Sequence, residues 1–84
     1  MYLVKVYVTP KKGILDPQGV TIKDALEAME YRNLVQVRVG KYMELMLDAP
    51  SREVAYQQAE EMARSLLANL VIEDYRLEVE EAEA

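Results

Sequence analysis

VQVRVGKYMELML, Val35 to Leu47, is the stretch on which the fold turns. Val35, Val37 and Val39 alternate with Gln36 and Arg38, the period of two that sets one strand face on a core and the other on solvent. Gly40-Lys41 interrupts the alternation, and Met43, Leu45 and Leu47 resume it as far as Asp48. This pattern predicts two strands joined by a tight hairpin at Gly40-Lys41, with the glycine free to take positive φ.

Upstream, Tyr2 to Thr9 alternates as a strand with Tyr2, Val4, Val6 and Val8 on its inner face. Between it and the hairpin, Ile22, Ala25, Leu26 and Met29 form one apolar stripe, which predicts a helix over about 21–31 with Thr21 as its N-cap. Downstream, Pro50-Ser51 stops the hairpin and caps a second helix. Ala55, Ala59, Met62, Ala63, Leu66 and Leu70 lie along one side of it, with an exposed Glu60–Arg64 pair on another. Asn69 suits a left-handed position at its end. A last strand, about 71–80, faces Tyr75, Leu77 and Val79 inward and Arg76, Glu78 and Glu80 outward. The order β-α-β-β-α-β predicts an α+β, ferredoxin-like fold. It would have a four-stranded antiparallel sheet, first and third strands central, with both helices on one face. Residues 1–80 make a single domain and 81–84 a solvated acidic tail.

The chain has 84 residues, no cysteine and no histidine. Disulfides and thiolate metal sites are excluded, and so are the commonest general base and any Ser-His-acid triad. Glu60-Glu61 and Glu80-Glu81 read as solvated charge, so no metal site and no catalytic residue is expected. Residues 1–42 hold seven Lys/Arg against four Asp/Glu, net +3; residues 43–84 hold three against eleven, net −8. This balance argues against nucleic acid as a partner. No apolar run is long enough for a membrane span, and the amino terminus lacks a signal-peptide pattern, so a cytoplasmic location is expected.

One sheet face of the expected fold has no helix over it. Leu3, Lys5 and Tyr7 of the first strand and Tyr42, Glu44 and Met46 of the third lie there, four of the six apolar or aromatic. The flanking strands place Gln36, Arg38, Arg76 and Glu78 around them. An apolar centre with a polar rim is the anatomy of an interface, so a homo-oligomer, dimer or tetramer, is expected. Arg38 and Lys41 flank the hairpin, where they either bind an anion jointly or simply form basic rims. The loop GILDPQG, Gly13 to Gly19, carries no chemistry of its own. Asp16-Pro17-Gln18-Gly19 fits a type I turn. Ile14 and Leu15 are either a plug over the end of the core or an anchor for a partner.

Three strings, YLVKVYVTPKKGILDPQG, VQVRVGKYMEL and LLANLVIEDYRLEVE, resemble the PurS family in order and spacing, from Tyr2 to about Glu80. The resemblance implies the small subunit of a three-chain phosphoribosylformylglycinamidine synthase in purine biosynthesis. Such a subunit bridges a glutaminase subunit and a synthetase subunit; ATP and magnesium belong to the synthetase, and this chain holds no cofactor. Family motif positions fall on Gly13, Leu15, Asp16, Pro17, Gln18 and Gly19, on Arg38, Gly40 and Lys41, and on Asn69, Ile72, Glu73, Asp74 and Tyr75. Glu73 and Asp74 thereby join the candidate contact residues. Leu70 stands where the family pattern has proline, which implies that the second helix runs a residue further. The rival reading from another class is a metabolite-sensing regulatory domain of the same fold.

Overall fold

β1 (Tyr2–Pro10) is the organising strand. It pairs antiparallel with β2 (Lys41–Leu47) on one side and with β3 (Glu73–Glu81) on the other, giving a three-stranded sheet of order β2-β1-β3. α1 (Pro17–Ala28) lies between β1 and β2 in sequence; α2 (Arg52–Met62), continued by a π-helical turn over Ala63–Leu67, lies between β2 and β3. The computed structural model describes residues 1–83. Ala84, the end of the expected tail, lies outside them. Glu81 is inside the sheet, and Ala82 donates its N–H to the Met1 carbonyl at 2.9 Å, so the boundary expected at residue 80 falls within the last strand.

The core is built from small side chains. Val4, Val6 and Val8 are fully buried on one face of β1, opposite Ala55, Ala59 and Ala63. Stiff β-branched residues suit the pleated strand, and the alanines let the helix backbone approach it closely. Each buried valine stabilises the fold by roughly 1.5–3 kcal/mol. Ser51 caps α2, its Oγ accepting the Val54 N–H at 3.2 Å. Met62 and Leu66, expected on the core side, are exposed instead. For Leu66 the cause is the π-helical turn: Ala68 donates to Ala63 at 2.9 Å, five residues back. That wider turn rotates the following positions and brings Leu67 and Ala68 to the core in place of Leu66. The helical stretch ends at Leu67, so Leu70 does not prolong it.

The four-stranded ferredoxin-like sheet is not present among the described residues. Val35–Val39 pairs with no strand, and Gly40 reverses nothing, because its φ is not positive. In the antiparallel register Val8 faces Lys41, so Gly40 still lies beside the last residues of β1, and the residues before Val39 run past its end at Pro10. Gly40 is needed for a different reason: a Cβ there would collide with the Val8 carbonyl oxygen. The alternation of Val35, Val37 and Val39 is therefore that of a segment without a partner strand, and Val35 is 87% exposed. β1 alone is central, and β2 is an edge.

α1 does not pack on the sheet either. The helices do not share a face: α2 covers β1 and β3, while α1 makes no substantial contact with any strand. It begins at Pro17 rather than Thr21, because Asp16 caps it and proline suits the first helical position. Its far end closes on Glu30 at φ 74, with Tyr31 donating to Leu26 at 3.1 Å and Glu30 to Glu27 at 2.9 Å, a Schellman closure built without glycine. The consequence is an elongated molecule of 51 × 28 × 15 Å with a radius of gyration of 16.4 Å. A compact domain of this length would have a radius of about 12 Å.

Candidate functional site

Two surfaces gather the residues singled out in the sequence. The first is the junction between the 10–19 loop and the 35–39 segment. Asp16 Oδ1 accepts from Gly19 at 3.1 Å and Oδ2 accepts from Val39 at 2.7 Å, so one carboxylate caps α1 and clasps the extended segment. These two bonds, Val39 foremost, hold the Asp16 carboxyl below its ordinary range. Gly19 is buried because the Val37 carbonyl lies where its Cβ would be. Pro17 occupies the first helical position, so Asp16 to Gly19 is the first turn of α1 and not a free-standing turn. Gly13 takes φ 82, the left-handed region that favours glycine. Arg38 donates to the Pro10 carbonyl. Ile14 and Leu15 line the cleft beside this junction, and Leu15 is 76% exposed. Gln18 lies on the opposite flank of α1's first turn, with Thr21, Ile22 and Val39.

Arg38 and Lys41 do not converge. Lys41 Nζ turns instead to the Leu67 carbonyl at 3.3 Å and to Glu73 Oε1 at 3.8 Å. Glu73 Oε1 also accepts the Asn69 N–H at 2.8 Å, while Asn69 Oδ1 accepts from Val71 at 3.1 Å. Asn69 thus builds the turn into β3 through its side chain and has no positive φ. Asp74 reaches Lys11 at 3.9 Å, across the β1–β3 pairing.

The second surface is the sheet face away from α2. Register places Leu3 opposite Met46 and Tyr7 opposite Tyr42, all four on the outward face. The two tyrosine rings lie 5.1 Å apart at 41°, and the Arg76 guanidinium sits 4.2 Å over the Tyr7 ring. Arg76 also meets Glu78 at 2.6 Å, and Lys5 meets Glu80 at 3.4 Å. That hydrogen bond to Glu80 raises the Lys5 ammonium. The Tyr42 hydroxyl donates to Glu44 at 2.7 Å, which, with desolvation, pushes its pKa up to about 12. Tyr42 is 51% and Met46 53% exposed, so apolar side chains at the centre of this face are uncovered. Nothing here is arranged as nucleophile, base and orienting group.

The strings quoted above are now placed: the first makes β1 and the clasp, the second β2 and its overshoot, the third the turn into β3. The sequence matches the family model for PurS, phosphoribosylformylglycinamidine (FGAM) synthase, over residues 3–81. The chain belongs to the PurS family. It is 51% identical over 84 residues to the Bacillus subtilis phosphoribosylformylglycinamidine synthase subunit PurS, covering 100% of this chain and 99% of that one. The crystal structure of Methanocaldococcus jannaschii PurS, one of the subunits of formylglycinamide ribonucleotide amidotransferase in the purine biosynthetic pathway, superposes with a TM-score of 0.87. Its identity is 37%, with 99% of this chain and 100% of that chain covered. A chain in the structure of PurLQS from Thermotoga maritima gives a TM-score of 0.83 at 26% identity, covering 95% and 99%. The PurS resemblance carried by the three strings is borne out.

Several features of the site have little or no sequence signal. The clasp from Asp16 to Val39 spans 23 positions and follows from no local pattern. The left-handed Glu30 is equally silent, since glutamate is a poor candidate for that region. Among the described residues no three His, Cys, Asp or Glu side chains group as a metal site, and no helix is long and apolar enough to cross a membrane.

Proposed function

We propose that this chain is the non-catalytic assembly subunit of a cytoplasmic phosphoribosylformylglycinamidine synthase. It bridges a glutaminase subunit and a synthetase subunit and supports ammonia transfer between them. The synthetase uses ATP and magnesium to convert formylglycinamide ribonucleotide to the formylglycinamidine. In this reading the chain works as a homo-oligomer, and its contact residues are those of the two surfaces. Leu3, Tyr7, Tyr42 and Met46 form one; Ile14, Leu15, Asp16, Gln18 and Arg38 form the other, with Lys41, Glu73 and Asp74 close to the β1–β3 end.

The observation that carries the reading is the separation of α1 from the sheet. The stripe of α1 has no partner on the sheet, and Ile22 and Met29 are exposed as a result, as is Val35 in the unpaired 35–39 segment. Apolar surface left open on both halves of a small chain is satisfied by association, which adds the burial the monomer lacks. PurS membership and the absence of a catalytic constellation point to association as the task itself.

The test is sedimentation of the three purified chains. A complex containing synthetase and glutaminase forms with this chain present and does not form when it is omitted. Equal complex formation without it overturns the bridging role. Replacing Met46 with Asp on the open face is expected to lower the oligomeric state and weaken that complex; an unchanged sedimentation profile removes this face from the interface.

A further inference from the structure

Beside the clasp lies a cleft of about 380 Å³, walled by the 10–16 loop, the first turns of α1 and residues 35–38. That volume falls in the range of small-molecule sites, ~300–1,000 Å³. Four cations from three separate stretches line it, Lys11, Lys12, Lys23 and Arg38, against one carboxylate, Asp16, for a local net of +3. Asp16 already accepts two backbone N–H groups, at 3.1 and 2.7 Å, so both of its oxygens are engaged. Glu27 holds Lys23 at 3.0 Å and Asp74 approaches Lys11 at 3.9 Å, but neither carboxylate lines the cleft. Lys12 has no ion-pair partner among the described residues. Arg38 spends one donor on the Pro10 carbonyl, and a guanidinium has five. The remaining wall is apolar, with Ile14, Val20, Val35 and Val37.

Such a concentration of positive charge is unexpected on a chain of net charge −5. Cations that merely aid solubility would be spread over the surface, whereas these converge on a concavity beside an apolar wall. We infer that this cleft binds a small phosphomonoester, its phosphate among Lys12, Lys23 and Arg38 and its uncharged body against Ile14, Val20 and Val35. A phosphate dianion suits Lys12 and Arg38, which have no carboxylate partner among the described residues, and shares Lys23 with Glu27; it offers three strong acceptors to these donors. The site is separate from the sheet face, but it shares Ile14, Leu15, Asp16 and Arg38 with the second contact surface proposed above, so a bound phosphomonoester and a protein partner would compete for it.

The experiment is a titration of the isotopically labelled full-length chain with ribose 5-phosphate, following backbone amides by NMR. Parallel titrations use ribose, inorganic phosphate and a glutamate-rich peptide. Saturable shifts confined to residues 11–23 and 35–39 are expected with ribose 5-phosphate, weaker ones with inorganic phosphate and none with ribose. The double variant K12Q/K23Q is expected to bind at least about tenfold more weakly, the equivalent of losing one charge-assisted hydrogen bond, while R64Q on α2's outer face binds normally. Lys12→Gln alone, which has no ion pair to lose, reads the same effect at smaller size if the double variant unfolds. Shifts that do not saturate, shifts mapping to other residues, or unchanged binding by the lysine variants overturn the site. Tighter binding of the acidic peptide at the same residues also overturns it, making the cleft a protein-docking surface.

Discussion

Asp16 and Val39, 23 positions apart, are joined by a carboxylate–amide hydrogen bond of 2.7 Å. The same carboxylate caps α1 through Gly19, so loss of this side chain frees both the helix end and the extended segment. Asp16→Ala is therefore expected to lower the melting temperature, and Asp16→Asn to lower it less, since an amide oxygen can still accept one of the two bonds. Hydrogen exchange at the Val39 amide reads the clasp directly. Protection that survives in Asp16→Ala contradicts its role.

The acid limb of stability carries the same signature. Asp16 titrates below its ordinary 3.8 in the folded chain, so its contribution is complete above that value and is lost as pH falls through the lower folded pKa. Tyr42 behaves oppositely. Its pKa is raised to about 12, so its contribution is intact below 10.0 and fades as pH rises from there towards 12. Denaturation followed against pH is expected to lose the acid-side slope below 3.8 in Asp16→Asn and the alkaline slope in Tyr42→Phe. Wild-type slopes in either variant contradict the assignment.

Two glycines are held by close approach. A Cβ on Gly19 or Gly40 would meet the carbonyl oxygen of Val37 or Val8, both backbone atoms with little room to yield. Gly19→Ala and Gly40→Ala are each expected to cost roughly 1–3 kcal/mol, the scale of local overpacking, in urea unfolding. Gly19→Ala should loosen α1 from the 35–39 segment, whereas Gly40→Ala should disturb the start of β2. Unchanged unfolding midpoints in both would show that the backbone gives way freely.

Glu30 offers a stabilising change. It sits at φ 74, a region that costs a residue with a Cβ about 1–2 kcal/mol. Glu30→Gly is expected to return roughly 0.5–1 kcal/mol after the added flexibility of the unfolded chain is subtracted. A lower melting temperature in this variant would mean that the side chain makes a contribution of its own.

Sequence pattern was a faithful guide where a residue's neighbours settle its environment. The alternation of Val4, Val6 and Val8, the Ser51 cap and the shared outward face of Tyr7 and Tyr42 were all legible, because each follows from periodicity within one strand or one helical turn. Val35, Val37 and Val39 show the limit. Their alternation specifies an extended backbone but not a neighbour, and long-range contacts, the clasp from Asp16, the Arg38–Pro10 bond and the approach of Val37 to Gly19, decide where the segment lies. The glycine at position 40 was visible, yet its reason is the Val8 carbonyl and not a reversal of the chain. Small insertions of backbone geometry, such as the π-helical turn after Met62, leave no periodic trace, so Leu66 and Leu67 exchange their expected sides. Recognition of the family rested on whole strings and survived these local errors.

Leu15 separates the plug from the anchor. At 76% exposure it covers little of the core, so Leu15→Asp is expected to shift stability by no more than about 0.5 kcal/mol, as surface changes do. On the anchor reading the variant stays folded but fails to join the other subunits. A folded, fully assembling variant removes Leu15 from the contact.

The function proposed above is that this chain joins two catalytic subunits and performs no chemistry itself. Its most direct test compares two rates of formylglycinamidine ribonucleotide synthesis, one with glutamine and one with added ammonium, in mixtures of synthetase and glutaminase with and without the chain. Omission is expected to abolish the glutamine-dependent rate and leave the ammonium-dependent rate largely intact. Equal glutamine-dependent rates in the two mixtures would contradict it.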